Sequence, residues 1–172
     1  MKHYKLNRTV HKWLGIIFAI AFLEIAVTGL LLLEKKNYNW IQPETKKGSE
    51  GGVEDFITNQ KLFEVVLAAG HKDFSTMDDI DRVDFRPGKR VFKVQSKHNY
   101  REIQVDAVNN DILSIATRNS DMIEALHDGS YFGEFVHRWL MRAFAVVTVV
   151  LTITGLYLWL APALKKAKRQ KA

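Results

Sequence analysis

Two transmembrane helices flanking one small exported domain, an α+β membrane protein in which a helix packs on a short antiparallel sheet, is the architecture this 172-residue sequence predicts. Three observations carry the expectation. Trp13 to Leu33 forms a 21-residue run broken by one charged residue, Glu24, and Ala143 to Leu164 forms a 22-residue run with none. Each is long enough to cross a hydrocarbon core of about 30 Å. The stretch between them, about 100 residues, suffices for one small domain and is too short for two.

Charge gives the expected topology. Lys2, Lys5, Arg8 and Lys12 precede the first run, and Lys165, Lys166, Lys168, Arg169 and Lys171 follow the second, with no acid in either tail. Residues 35–136 instead carry 14 basic and 17 acidic side chains. The positive-inside bias therefore predicts cytoplasmic termini and an exported middle. The formal net charge of +6 reads as a topology signal and an attraction to anionic membrane lipid. A nucleic-acid partner is not expected, since no motif or basic-aromatic face accompanies the charge. The expected divisions are a basic tail over 1–12, spans over 13–33 and 135–160, a linker over 34–52, the domain over 53–130, and a second basic tail over 161–172. The first span is too long, and its exit Leu31-Leu32-Leu33-Glu34-Lys35 too bulky, for a cleaved signal peptide. Trp13, Trp40, Trp139 and Trp159 mark the span ends, where amphipathic rings prefer to sit.

The chain has no cysteine, which excludes disulfides, iron–sulfur clusters, thiolate zinc sites and covalently attached haem. Any metal must use His, carboxylate or Met.

Within the middle stretch, Gln42 to Gly52 has Pro43, glycines and mixed charge without apolar period, and reads as a flexible connector. Leu62, Val65, Val66 and Ala69 then fall at helical spacing, behind a Thr58 or Asn59 cap and ahead of Gly70. Val83 and Phe85, Phe92 and Val94, Ile103 and Val105, and Ile112 to Ile115 alternate between turn signals at Pro87-Gly88, Lys97-His98-Asn99 and Asp106 to Asp111. That pattern predicts a four-stranded antiparallel meander. Met122 to His127 is expected as a short helix capped by Asn119 or Ser120 and closed by Asp128-Gly129. The domain has no nucleophile with a paired base and no phosphate loop, so no catalytic residue is assigned. The acids Asp78, Asp79, Asp81 and Asp84 lack the spacing of a calcium loop and read as a solvated turn.

The two spans align with each other. His11-Lys12-Trp13-Leu14 matches His137-Arg138-Trp139-Leu140, and Thr28-Gly29-Leu30 matches Thr154-Gly155-Leu156, with 17 residues from His to Thr in both. Because the spans run in opposite directions, this repeat implies a two-fold relation with one histidine near each membrane face. The expected stripes are His11, Gly15, Ala19, Phe22, Ala26, Gly29 and His137, Met141, Ala145, Thr148, Thr152, Gly155. An imidazole on a rigid helix, on a stripe with glycines, suits axial ligation of a b-type haem. On spacing alone, interfacial anchors beside Lys12 and Arg138 on a packed helix pair are the favoured account. His127, ten residues before His137 on the same side, favours the cofactor. His3, His71 and His98 read as surface histidines, and Glu24 as a proton-relay group or a carboxyl paired with Arg142 or a partner chain.

These residues resemble the PepSY-associated transmembrane proteins, whose spans of the form His-(Lys/Arg)-Trp-Leu … Thr-Gly-Leu flank an exported PepSY domain. The resemblance rests on His11 to Gly15, Thr28 to Leu30, Leu126-His127, Thr154 to Trp159 and Ile103 to Asp106, and covers nearly the whole chain. It implies a bacterial inner-membrane protein with a periplasmic PepSY-like domain. Larger members with four spans include reductases that use b haems to reduce siderophore iron, so the resemblance implies His11, His127 and His137 as ligands of haem iron. This chain departs from them in having two spans, and Asn109-Asn110 where the family usually has Gly. A homodimer or a partner membrane subunit would restore four helices. Without a flavin or nicotinamide fingerprint, the electron donor would be quinol or another subunit, and any enzymatic activity would be that of a membrane oxidoreductase acting within such a complex. The alternative is a non-enzymatic membrane-anchored PepSY module that binds or restrains a periplasmic partner, as a peptidase inhibitor does.

Overall fold

The structure, a computed structural model, describes residues 2–170. Met1, Lys171 and Ala172, at the ends of the basic tails, lie outside the described residues, as do the side chains of Lys2, Lys165, Ala167, Lys168 and Arg169. The chain divides into two compact units. Residues up to Leu30 with those from Ala125 onward form one, and Leu31–Glu124 forms the other.

The first unit is a pair of long helices, α1 (Lys2–Leu33) and α4 (Met141–Gln170). Their segments His3–Leu33 and Val136–Leu164 are both long and apolar enough to cross a membrane. Large apolar side chains such as Ile20, Leu23, Val146 and Ile153 stand exposed along both helices, as lipid-facing residues do. Where the helices meet, Phe144 packs between Phe18 and Phe22, with ring centroids 6.0 and 4.8 Å away. The buried seam departs from the expected stripes: Ala19, Ala26, Ala145 and Thr152 are exposed, while Phe18, Ile25, Thr28, Phe144, Leu151 and Thr154 turn inward. The expected stripes advance by about 3.6 residues per step and so keep to one face; the packed face lies beside it, where Phe18 meets Phe144. The N-terminal approach to α4 contains a π-helical turn, Val136–Leu140.

The second unit holds α2 (Asn59–Ala68) and the strands β1 (Ile80–Arg86), β2 (Val91–Ser96), β3 (Arg101–Asp106) and β4 (Ile112–Thr117), followed by α3 (Asn119–His127), which runs on into the first unit. The sheet is an antiparallel meander in the order β1-β2-β3-β4, as its alternation predicts. Thr58 caps α2 by accepting a hydrogen bond from the Lys61 N–H, and Gly70 follows it at φ +64. Leu62 and Val66 of α2 are fully buried against Phe92, Val94, Ile103 and Val105, each contributing about 1.5–3 kcal/mol. Asn110, at φ +66, supplies the left-handed turn before β4.

The other face of the sheet is also buried. Lys93, Gln95, Glu102 and Gln104 point away from α2, and the segment from Ile41 to Ser49 crosses that face at Lys93 and Gln104. The expected flexible connector is therefore an ordered strap. Its Lys46 N–H donates to Gln104 Oε1 at 2.8 Å, and Gln104 Nε2 donates to the Glu44 carbonyl at 3.0 Å. Ser49 donates from its backbone and its hydroxyl to Asp106 Oδ2, at 2.8 and 2.7 Å. Polar side chains supply the cohesion that an apolar period supplies elsewhere. Under the strap, Glu102 accepts from Lys93 Nζ at 3.1 Å and from Arg118 at 2.8 Å, with both Lys93 and Glu102 essentially out of solvent.

Candidate functional site

The long helices bring two of the expected histidines into a paired arrangement. His11, on α1, places its Nδ1 2.8 Å from Thr154 Oγ1 on α4. His127, at the C-terminus of α3, places its Nδ1 2.9 Å from Thr28 Oγ1 on α1. The two contacts are about 25 Å apart along α1, because His11 and Thr28 are separated by 17 residues rising about 1.5 Å each.

The hydroxyl partners favour one tautomer. Thr154 Oγ1 donates to the Val150 carbonyl at 2.8 Å, and Thr28 Oγ1 donates to the Glu24 carbonyl at 2.8 Å. With its one proton engaged, each hydroxyl accepts, so the imidazole Nδ1 carries the donated hydrogen. The Nε2 lone pair of both His11 and His127 is left free. A metal-ligating histidine has the same arrangement, with its other nitrogen held by an oxygen acceptor.

Glycine lets each ring come close. A methyl group on Gly155 would stand 3.2 Å from His11 Cε1, and one on Gly29 would stand 3.4 Å from His127 Cε1. The repeated Thr-Gly pair thus has one function in both helices: threonine orients the ring, and glycine gives it room.

The counterpart of His11 is His127, whereas the 17-residue offset aligns His11 with His137. The π-helical turn over Val136–Leu140 contains an extra residue, which rotates the chain before it by about 100° relative to a continuous α-helix. His137 is half exposed, and its Nδ1–H donates to the Asp128 carbonyl at 2.8 Å. Its Nε2 is also left free. Gly129 and Gly133, at φ +76 and +99, turn the chain between the two histidines. Asp128, expected with Gly129 to close the short helix, closes this turn: its Oδ1 accepts from the Ser130 N–H at 2.9 Å. Burial pushes the Asp128 carboxyl up, but the hydrogen bonds from Ser130 outweigh it and hold the group below its ordinary value.

Glu24 lies one turn before Thr28, with Oε1 shut off from solvent and without a hydrogen-bond partner. The expected pairing with Arg142 is not formed; that guanidinium lies over the Trp139 ring, 5.8 Å from its centroid. Of the histidines expected at the surface, His98 is half exposed and contacts Asp79 Oδ1 at 3.0 Å. His71 is largely buried, and its Nδ1 accepts from the Asp73 N–H at 3.2 Å. The acids Asp79, Asp81 and Asp84 are each engaged by neighbouring side chains. No group of three or more His or carboxylate side chains that could hold a bare metal ion occurs among the described residues.

No curated protein matches the chain. The model of the PepSY-associated TM region matches residues 8–172, both long helices and the domain between them. With two membrane-length apolar helices flanking a four-stranded domain, this membrane protein belongs to the PepSY-associated TM family.

Proposed function

We propose that the protein is an electron-transfer component of the bacterial inner membrane, related to the siderophore-iron reductases, and binds b-type haem through histidines at both ends of its helix pair. The observation that carries the reading is the twofold His–Thr–Gly arrangement, in which His11 and His127 each keep Nε2 free and Nδ1 tied to a threonine hydroxyl. The residues fit the group in donor chemistry, since each imidazole is held at Nδ1 by a hydroxyl and Gly29 and Gly155 let the ring lie close against the facing helix.

His11 would hold haem at one end, and His127, with His137 as a second candidate, at the other. Haem, when bound, supplies one-electron redox chemistry at iron. The chain's own residues do the rest. Thr154 and Thr28 hold the imidazoles in orientation at Nδ1, and acceptance at Thr oxygen raises the basicity of the ligating nitrogen. Phe18, Phe22 and Phe144 keep the helix seam between the two ends apolar and dry. Each end of one chain offers few imidazoles, so a homodimer or a second membrane subunit completes the ligand sets, and quinol is the donor that needs no nucleotide site. The exported domain faces the acceptor.

The test is the haem content of the full-length protein purified from cells supplied with haem. Haem b retained by the wild type, and reduced in His11→Ala and in His127→Ala separately, supports the reading. A well-folded protein without haem leaves a membrane-anchored PepSY module whose work is to bind a partner.

A further inference from the structure

The strapped face of the domain contains a cleft that the redox reading does not use. Lys36, Gln42, Thr45, Arg86, Lys89 and Lys93 are among the residues lining a recess of ≈ 430 Å³. Four of the six are cationic, and no carboxylate lines this recess. Lys93 is enclosed, and its charge is met by Glu102. The other three are poorly compensated. Lys89 Nζ donates to the Thr45 carbonyl at 2.7 Å, which leaves two further hydrogens. Arg86 reaches Asp84 only at 3.8 Å, and Lys36 makes no ion pair among the described residues. Glu44, on an adjoining recess, is engaged by Lys46 at 3.7 Å.

Gln42 adds an independent observation. Its Oε1 is buried and accepts no hydrogen bond. Rotating the amide by half a turn puts N–H donors at the same place, beside a recess that Gln42 itself lines. Converging cations that repel one another, with a hydroxyl and an unused amide, suit a group bearing several negative oxygens.

Position narrows the source. Lys36 follows Leu33, the last residue of α1, by three residues, so it lies within about 10 Å of the helix end. Lys35 and Lys36 also stand at the end of the span where the basic tails leave least reason for lysines. We infer that this cleft binds a phosphate-type oxyanion. A phospholipid headgroup and free phosphate present the same chemistry, and the proximity to the span end favours the headgroup. The site is independent of whether haem is bound.

The experiment uses the full-length protein in a phosphate-free maltoside detergent. Inorganic phosphate is titrated by calorimetry in one arm, and phosphatidylglycerol is titrated by native mass spectrometry in the other. The Lys36→Gln/Arg86→Gln variant is compared with Lys47→Gln/Arg82→Gln, which removes the same charge from outside the cleft. The expected result is saturable binding of at least one probe, weakened about tenfold in the cleft variant and unchanged in the control. Binding of phosphatidylglycerol alone assigns the site to lipid, and binding of phosphate assigns it to a free oxyanion. Absence of both, or equal loss in the two variants, overturns the inference. Should the double variant fail to fold, Lys36→Gln alone serves, since Lys36 makes no ion pair among the described residues.

Discussion

His11 Nδ1 and Thr154 Oγ1 lie 2.8 Å apart across the helix pair, and the hydroxyl proton already belongs to the Val150 carbonyl. With that proton on the carbonyl the ring nitrogen donates, which leaves Nε2 with its lone pair. In protein labelled at histidine nitrogen, wild-type His11 should show a protonated Nδ1 and a bare Nε2. Thr154→Val should return the ring to a tautomer mixture and cost about 1 kcal/mol of helix-pair stability. A ring already mixed in the wild type would remove the orienting role of Thr154.

The glycines beside the rings should not be equivalent. An added methyl meets His11 at 3.2 Å from Gly155 but His127 at 3.4 Å from Gly29, which is ordinary contact. Gly155→Val should destabilise the helix pair by about 1–3 kcal/mol through overpacking. Gly29→Ala should be neutral or stabilising, because alanine is the better helix former. Thermal unfolding in detergent, followed by circular dichroism, compares them.

Acid should loosen the strap. Burial pushes the Asp106 carboxyl up, but donation from Ser49, Val108 and Asn109 outweighs it and holds the group below its ordinary value. A lowered folded pKa contributes stability that is present above the unfolded value of about 3.9 and is lost as pH falls through the folded value. The domain's melting temperature should hold from neutral pH to about pH 5 and fall below about pH 4. Asp106→Asn should cost about 1–3 kcal/mol at neutral pH and make the acid limb shallower. An unchanged acid limb in the variant would show that Asp106 does not anchor the strap.

The buried ions under the strap should depend on one another. Glu102→Gln leaves Lys93 enclosed without its counter-ion and should cost about 3–5 kcal/mol. Lys93→Met combined with Glu102→Leu removes both charges and should cost less than the single change, with Arg118 still held by Asp121 at 3.1 Å. Urea unfolding of the three proteins reads the difference.

The meander and α2 were legible because Phe92, Val94, Ile103 and Val105 alternate, and because Leu62 and Val66 recur at helical spacing. The second buried face was not. Lys93, Gln95, Glu102 and Gln104 have the pattern of a wet surface, and the segment that crosses that face has no apolar period to announce it. The helix pair shows the same division. Sequence offset identified the Thr-Gly pairs and His11, but it aligned His137 with His11 because nothing in Val136 to Leu140 signals a π-helical turn. The contact of His127 with Thr28 depends on that turn and on the two positive-φ glycines before it. A left-handed glycine is legible in sequence; the direction in which it sends the chain is not.

The most direct test is a reduced-minus-oxidised visible spectrum of the full-length protein expressed with haem supply, beside the single variants His11→Ala, His127→Ala and His137→Ala. The expected result is a sharp b-type band in the wild type, diminished by His11→Ala and by His127→Ala, with His137→Ala the least affected because its ring is tied to the Asp128 carbonyl outside the Thr–Gly pairs. A folded wild type with no band, or a band untouched by His11→Ala and His127→Ala, would contradict the account.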